Sequence, residues 1–183
     1  MGRKDVNYFK PTDKGYEYIG SYYRFRLGRP DSRKRISAYI VLAFLMLAAF
    51  LERGIMDMGM TRRVYVALPY VASLLPIGLC ISAAVALPSL PENMTIVQYK
   101  RGPKRLINCA RGALVTGAMT VLGGAICALR GGFTAGDIPF MAGGVCLCIF
   151  AIGIIRLYVD CPAEEVAGRP GNTIVDYDKK NVN

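Results

Sequence analysis

The fold is decided by an uncharged stretch at residues 64–87, which reads VYVALPYVASLLPIGLCISAAVAL. As a helix rising about 1.5 Å per residue it would be about 36 Å long, which exceeds the ~30 Å hydrocarbon core of a bilayer. Three further uncharged apolar runs lie at residues 36–51, 112–129 and 138–155. A chain of 183 residues leaves too little polar sequence to cover four such runs, so we expect four transmembrane helices.

These runs predict an all-α membrane protein whose core is a four-transmembrane-helix bundle. Composition agrees, because 53% of the residues are hydrophobic, 20% are charged and the mean hydropathy is +0.32. We place the spans at about residues 36–56, 64–87, 109–129 and 138–158. The chain then divides into an N-terminal arm (1–35), a membrane domain (36–158) and a C-terminal tail (159–183).

The basic residues are distributed unequally between the two ends of the predicted bundle. Nineteen of the 23 Lys and Arg lie in the arm, in the connection between the second and third spans, and in the tail. The positive-inside rule therefore predicts a multi-pass protein of the plasma membrane with both termini in the cytoplasm. The other four basic residues are Arg53, Arg62, Arg63 and Arg130.

The net charge of +10 is explained by the membrane rather than by a nucleic acid. Most of the basic residues lie near span ends, where the anionic lipids of the inner leaflet attract them, and no nucleic-acid-binding motif is present. We therefore expect the lipid bilayer, and no nucleic acid, as a partner. The residues expected to contact lipid headgroups are Arg24, Arg26, Arg33, Lys34, Arg35, Lys104, Arg105 and Arg156.

The N-terminal arm has two interpretations. Thr12 fits a helix N-cap and Gly28 fits a position just after a helix end, which predicts an amphipathic helix lying at the membrane interface. Tyr16, Tyr18 and Tyr22 instead follow the two-residue period of a strand. The two caps favour the helix.

A short motif occurs twice, as TIVQY at residues 95–99 and as TIVDY at residues 173–177. Its β-branched residues are typical of strands. Both copies lie on the predicted cytoplasmic side, so they could pair as a small β-ribbon that joins the tail to the central connection. The alternative is a chance repeat, since an isolated two-stranded ribbon is only marginally stable.

The third span carries a small residue at every fourth position. Small residues let helices approach closely in lipid, where packing drives helix association. The stripe therefore predicts a helix-packing face, within the chain by default or against another subunit. Its members are Gly112, Thr116, Thr120, Gly124 and Ala128.

Four residues are candidates for transport or coupling: Glu52, Arg53, Pro69 and Pro76. An ionisable side chain inside a membrane indicates a function, and proline-broken helices line substrate paths in transporters. The alternatives are that Glu52 and Arg53 lie at the membrane surface, and that the prolines reflect the general frequency of proline in membrane helices.

Several kinds of chemistry are excluded by composition. Histidine is absent and the six cysteines form no Cys-x-x-Cys motif, so we expect no catalytic residue, no metal site and no cofactor.

The first hypothesis for the function is a non-enzymatic membrane subunit, an accessory or assembly partner that binds other membrane subunits or copies of itself. One alternative is a small oligomeric transporter or channel for a solute or ion. A membrane enzyme acting on lipid or thiols is the second alternative.

Overall fold

We describe the protein from a computed structural model, which defines residues 9–12, 15–18, 20–25, 29–55, 62–130 and 137–166. Within these residues four long apolar helices pack as a bundle, which confirms the predicted four-helix architecture. Each is long and apolar enough to cross a membrane, which indicates a multi-pass protein in a lipid bilayer. The helices are α1 (Arg29–Ile55), α2 (Val64–Ala86, followed by a 3₁₀ turn, Leu87–Ser89), the short α3 (Ile96–Arg101), α4 (Pro103–Leu129) and α5 (Ile138–Asp160).

Around the bundle the long helices follow the order α1, α2, α4, α5, so each packs against two neighbours. Glycines allow the closest approaches. A Cβ added at Gly117 of α4 would lie 2.8 Å from Leu147 Cδ2 of α5, and one added at Gly153 of α5 would lie 3.4 Å from Leu42 Cδ1 of α1. Small residues thus set the helix spacing, as is typical of proteins packed in lipid.

The α2–α4 contact uses a proline in the interior of α2. Pro69 has no N–H, so the carbonyl of Tyr65 lacks its usual helical donor. That carbonyl faces α4, where a Cβ added at Gly123 would lie 3.1 Å from it. Glycine at position 123 therefore lets α4 pack directly against the interrupted part of α2.

The N-terminal arm forms strands, and the interfacial helix predicted from Thr12 and Gly28 is wrong for the described residues. β1 (Phe9–Thr12) and β2 (Gly15–Tyr18) form an antiparallel hairpin, and β3 (Tyr22–Phe25) follows. The tyrosine-rich segment follows the two-residue period of a strand, which was the alternative interpretation. Pairing with distant strands on both sides of β3 outweighs the local helix caps.

β3 is the central strand of a three-stranded antiparallel sheet at the end of the bundle where α1 and α4 begin and α5 ends. One neighbour is β4 (Met94–Thr95), from the connection between α2 and α4, and the other is β5 (Ala163–Val166), just after α5. Tyr22 lies opposite Thr95 on one side and Val166 on the other. We call this end the sheet end, and the opposite one the far end.

The first copy of the repeated motif forms a helix and not the predicted ribbon strand, because residues 96–99 belong to α3. Thr95 begins this helix with a capping box. Its hydroxyl accepts a hydrogen bond from the Gln98 N–H (3.4 Å), and the Gln98 side chain accepts one from the Thr95 N–H (2.9 Å). The second copy, at residues 173–177, lies outside the described residues.

Candidate functional site

Arg53 is the largest fully buried side chain in the described part of the chain, with 1% of its surface exposed. It lies in the last turn of α1, at the far end of the bundle. Its neighbour Glu52 is exposed, so the two residues point to different sides of α1. Burying an unpaired charge costs several kcal/mol, on the order of 3–5 kcal/mol, so the surroundings of Arg53 need an explanation.

Two aromatic rings contact the guanidinium of Arg53. Its Cζ lies 4.2 Å from the centroid of the Phe140 ring on α5 and 5.1 Å from the Tyr70 ring on α2. A desolvated cation–π contact contributes about 2 kcal/mol, so the two rings offset part of the cost of burial. We call Arg53, Tyr70, Phe140, Gly143 and Gly144 the arginine cage.

The two glycines of the arginine cage make room for the long Arg53 side chain. A Cβ added at Gly143 would lie 2.7 Å from Arg53 Cγ and 3.2 Å from the carbonyl oxygen of Ala49. A Cβ added at Gly144 would lie 2.8 Å from Val121 Cγ2 and 3.4 Å from Arg53 Nη2. All four long helices therefore meet around this one side chain.

Tyr70 connects the arginine cage to the backbone of α1. Its hydroxyl donates a hydrogen bond to the carbonyl of Phe50 (3.1 Å), and its ring stacks on the Phe50 ring with centroids 4.7 Å apart. A Cβ added at Gly54 would lie 2.6 Å from that hydroxyl oxygen, so glycine is needed at this position too. The ring that faces Arg53 is thus held from both its edge and its face.

None of the three guanidinium nitrogens of Arg53 has a hydrogen-bond partner among the described residues. Two buried hydroxyls are already committed to the backbone, since Thr120 donates to the Thr116 carbonyl (2.8 Å) and Ser73 donates to the Tyr70 carbonyl (2.6 Å). The two rings lie against the Cζ of the guanidinium. Its five N–H donors, which point outward in the plane, are left unused by these contacts.

The other candidates for transport or coupling do not gather around Arg53 as a set. Pro69 is buried one residue before Tyr70. Pro76 lies two turns further along α2 and packs against α4, where a Cβ added at Gly112 would lie 3.3 Å from Pro76 Cβ. With Glu52 exposed, the structure brings Arg53 next to the Pro69 region only.

The small-residue stripe of α4 is directed toward the inside of the bundle. Gly112 faces Pro76, Thr120 and Gly124 are buried, and Thr116 and Ala128 are half-buried. The buried members are therefore engaged in contacts within the chain, and a second subunit would have to bind elsewhere.

At the sheet end, ring contacts and polar contacts attach the sheet to the helices. The Tyr23 ring of β3 stacks on the Tyr99 ring of α3, with centroids 4.4 Å apart and 8° between the planes. The Tyr99 hydroxyl forms a hydrogen bond of 3.0 Å with the Tyr158 hydroxyl of α5. Arg24 of β3 forms an ion pair with Glu92. We call the sheet together with α3 the platform.

The residues predicted to contact headgroups are placed mostly around the platform. Arg24 is paired with Glu92, and Arg35 donates a hydrogen bond to the Leu157 carbonyl (3.1 Å). Arg26 lies outside the described residues. The remaining members are all exposed: Arg33, Lys34, Lys104, Arg105 and Arg156.

Sequence reasoning selected Arg53 but missed the two rings that contact it. The adjacent glycines Gly143 and Gly144 indicate a helix contact, and Gly144 does face Val121 of α4, but the sequence did not assign the pair to Arg53. Tyr70 and Phe140 gave no signal of their own. Comparison of the chain with models of known protein families, with curated proteins and with solved structures finds no match.

Proposed function

We propose that the protein is a non-enzymatic subunit of the cell membrane, an accessory or assembly partner within a larger membrane complex. The observation that carries this proposal is the platform. Three segments far apart in the chain contribute one strand each to a single sheet, and that sheet is attached to α3 and α5. A sheet held in this way is a rigid surface on which a second protein can dock.

The charge asymmetry supports a cytoplasmic position for the platform and for both termini. Nineteen of the 23 Lys and Arg lie, in the sequence, in the N-terminal arm, in the connection between the second and third spans with the entry to the third, and from the end of the fourth span onward. Single cysteines test this orientation on intact cells with a membrane-impermeant maleimide. We expect Arg130→Cys at the far end to react, and Lys100→Cys on α3 to react only after permeabilisation; the reverse pattern contradicts the orientation.

The outer strands of the platform offer a plausible means of docking. Among the described strands, β4 and β5 are the outer strands of the sheet and pair with β3 on one side only. A partner segment can add to such an edge as a further strand. β5 carries the exposed Glu164 and Glu165, and α3 ends in the basic pair Lys100 and Arg101.

The surfaces of the bundle that face the membrane also favour a protein partner on the platform. The stripe of α4 that could have bound a partner helix packs within the chain at Gly112, Thr120 and Gly124. The exposed faces of the long helices carry large apolar side chains such as Leu68, Leu75 and Leu122, which suit lipid. We therefore place the protein partner on the platform.

The test is purification of the full-length chain from native membranes in a mild detergent, after lysine-specific cross-linking. We expect a second protein in stoichiometric amount, with cross-links to the exposed Lys100 and Lys104. Charge reversal on the platform by Lys100→Glu with Arg101→Glu should reduce the recovered partner at least tenfold.

A matched pair of substitutions at the far end serves as the control. Arg63 and Arg130 are both exposed there, so Arg63→Glu with Arg130→Glu makes the same change of charge away from the platform. We expect this variant to recover the partner as the wild type does. A chain that purifies alone, or a partner lost equally in both variants, contradicts the proposal.

A further inference from the structure

The arginine cage leaves one positive charge without a counter-charge in direct contact. Arg53 is 1% exposed, and its three nitrogens have no hydrogen-bond partner among the described residues. We propose that the arginine cage binds one small monovalent anion of about the size of chloride through the N–H groups of Arg53. This site is independent of the proposed function, because it lies at the opposite end of the bundle from the platform.

The geometry of the ring contacts indicates where the anion binds. Tyr70 and Phe140 lie 5.7 Å apart with their rings tilted by 57°, and both contact the guanidinium through its Cζ. A guanidinium accepts rings on its flat face and donates hydrogen bonds from its edge. The three nitrogens of Arg53 have no hydrogen-bond partner among the described residues, so its N–H groups are available, and an anion is the strongest acceptor for them.

The tight walls of the arginine cage limit the anion to a small size. The guanidinium is enclosed on the α5 side, where a Cβ added at Gly144 would already lie 3.4 Å from Nη2 and 3.5 Å from Cζ. A single guanidinium also neutralises a single negative charge. A monovalent, compact ion fits both conditions, whereas gluconate and sulfate do not.

The position of the arginine cage within the bundle also favours an anion. α2 and α5 begin at the far end and α1 and α4 end there, so the partial charges of the helix ends largely offset one another. The exposed Arg63 and Arg130 lie at the same end and add to the attraction of anions from the solvent.

Two carboxylates near Arg53 are the competing explanation. Glu52 is exposed, and the buried Asp137 stands at the N-cap position of α5, one turn before Phe140. Neither forms a hydrogen bond with Arg53. If Asp137 supplied the counter-charge in solution, no free anion would be needed, so the test includes a variant of this residue.

The test measures thermal unfolding of the full-length chain in detergent while chloride replaces gluconate at constant ionic strength. Unfolding can be followed by a thiol-reactive fluorophore, because Cys80, Cys109, Cys127 and Cys161 are buried in the folded protein. We expect Tm to rise with the logarithm of the chloride concentration once this exceeds Kd, and to be about 5 °C higher at roughly thirty times Kd. Bromide should act as chloride does, and sulfate should not.

Variants then assign the effect to Arg53. Arg53→Met keeps an unbranched stem at this position without the guanidinium and its charge, and Tm should become independent of chloride. Arg130→Met removes an exposed arginine from the same end, and most of the response should remain, because the long-range attraction of an exposed charge is largely screened by salt. If Arg53→Met does not fold, Arg53→Lys decides instead: it keeps the charge but loses the planar edge, so chloride should bind at least fivefold more weakly.

Three results would overturn the anion site. The first is a wild-type Tm that is equal in chloride and gluconate. The second is a chloride affinity that Arg53→Lys leaves unchanged, or a response that Arg130→Met abolishes. The third is a chloride response that appears only in Asp137→Asn, since the carboxylate of Asp137 would then occupy the place of the anion in the wild type.

Discussion

The two ends of the bundle hold an arginine in opposite ways. At the sheet end, the side chain of Arg24 is 50% exposed and forms an ion pair with Glu92. At the far end, Arg53 is 1% exposed and is contacted by the rings of Tyr70 and Phe140. The comparison teaches that exposure sets the kind of interaction, because water already satisfies a surface charge and a buried one depends wholly on its neighbours.

The aromatic contacts at the two ends also differ in their burial. The stack of Tyr23 on Tyr99 is half-buried, whereas Phe140 is fully buried in the arginine cage. If burial decides the energy, substitutions at buried or bonded positions should cost much more than equivalent substitutions at exposed ones. Four sets of variants test this expectation, in decreasing order of the expected effect on the free energy of unfolding.

The largest effect is expected from Phe140→Ala, which removes a fully buried ring and one of the two contacts to the Arg53 guanidinium. We expect a loss of about 3–5 kcal/mol in the free energy of unfolding, measured by denaturant titration in detergent. Tyr23→Ala in the platform is the matched control and should lose less than half as much. Equal losses would contradict the role of burial.

The second effect concerns the room that glycine leaves beside Arg53. Gly143→Ala places a Cβ 2.7 Å from Arg53 Cγ, and we expect a loss of about 1–3 kcal/mol in the same titration. The control is Gly78→Ala on the exposed side of α2, where a Cβ meets nothing within 4 Å. There alanine should stabilise the helix by about 0.5–1 kcal/mol, so opposite signs are expected. A Gly143→Ala protein as stable as the wild type would show that the arginine cage is loosely packed.

A smaller effect is expected from Tyr158→Phe, which removes the hydroxyl pair with Tyr99 that ties α3 to α5. The expected loss is about 1 kcal/mol, since a single neutral hydrogen bond contributes about that much. Tyr65→Phe, on a tyrosine that is 41% exposed, should change the stability by less than half of this. A null effect of Tyr158→Phe would show that the stack of Tyr23 on Tyr99 attaches the platform without this bond.

The smallest effect is expected for the ion pair of Arg24 and Glu92. A double-mutant cycle with Arg24→Gln and Glu92→Gln should give a coupling of about 0.2–1 kcal/mol, because the pair is half exposed. Raising the salt concentration should reduce the coupling further. A coupling above about 2 kcal/mol would mean that the platform excludes water as the arginine cage does, and would remove the contrast between the two ends.

The long helices could be predicted from the sequence because their signal is local. The uncharged run at residues 64–87 became α2 (Val64–Ala86), and the span predicted at 138–158 became α5 (Ile138–Asp160). A run of apolar residues long enough to cross the hydrocarbon core is sufficient evidence by itself. No knowledge of the neighbouring helices is needed.

The strands could not be predicted in the same way. β3 lies between β4 and β5, whose residues are about 70 and 140 positions further along the chain. The local caps of the arm favoured a helix, and the repeated motif offered a ribbon, as one of two alternatives, at residues where α3 forms. The structure of such segments depends on pairing with residues far away in the chain, and a short window of the sequence does not reveal these partners.

The sequence by itself determined that the chain forms four apolar helices and that its positive charge is concentrated at one end. It also identified Glu52 and Arg53 together as unusual residues, since ionisable groups beside an apolar run stand out without any structure. Only the tertiary structure decided that Arg53 faces inward and Glu52 outward, and that Tyr70 and Phe140 close on the guanidinium. The physical reason is that a helix turns about 100° per residue, so its rotation against its neighbours decides which of two adjacent side chains is buried.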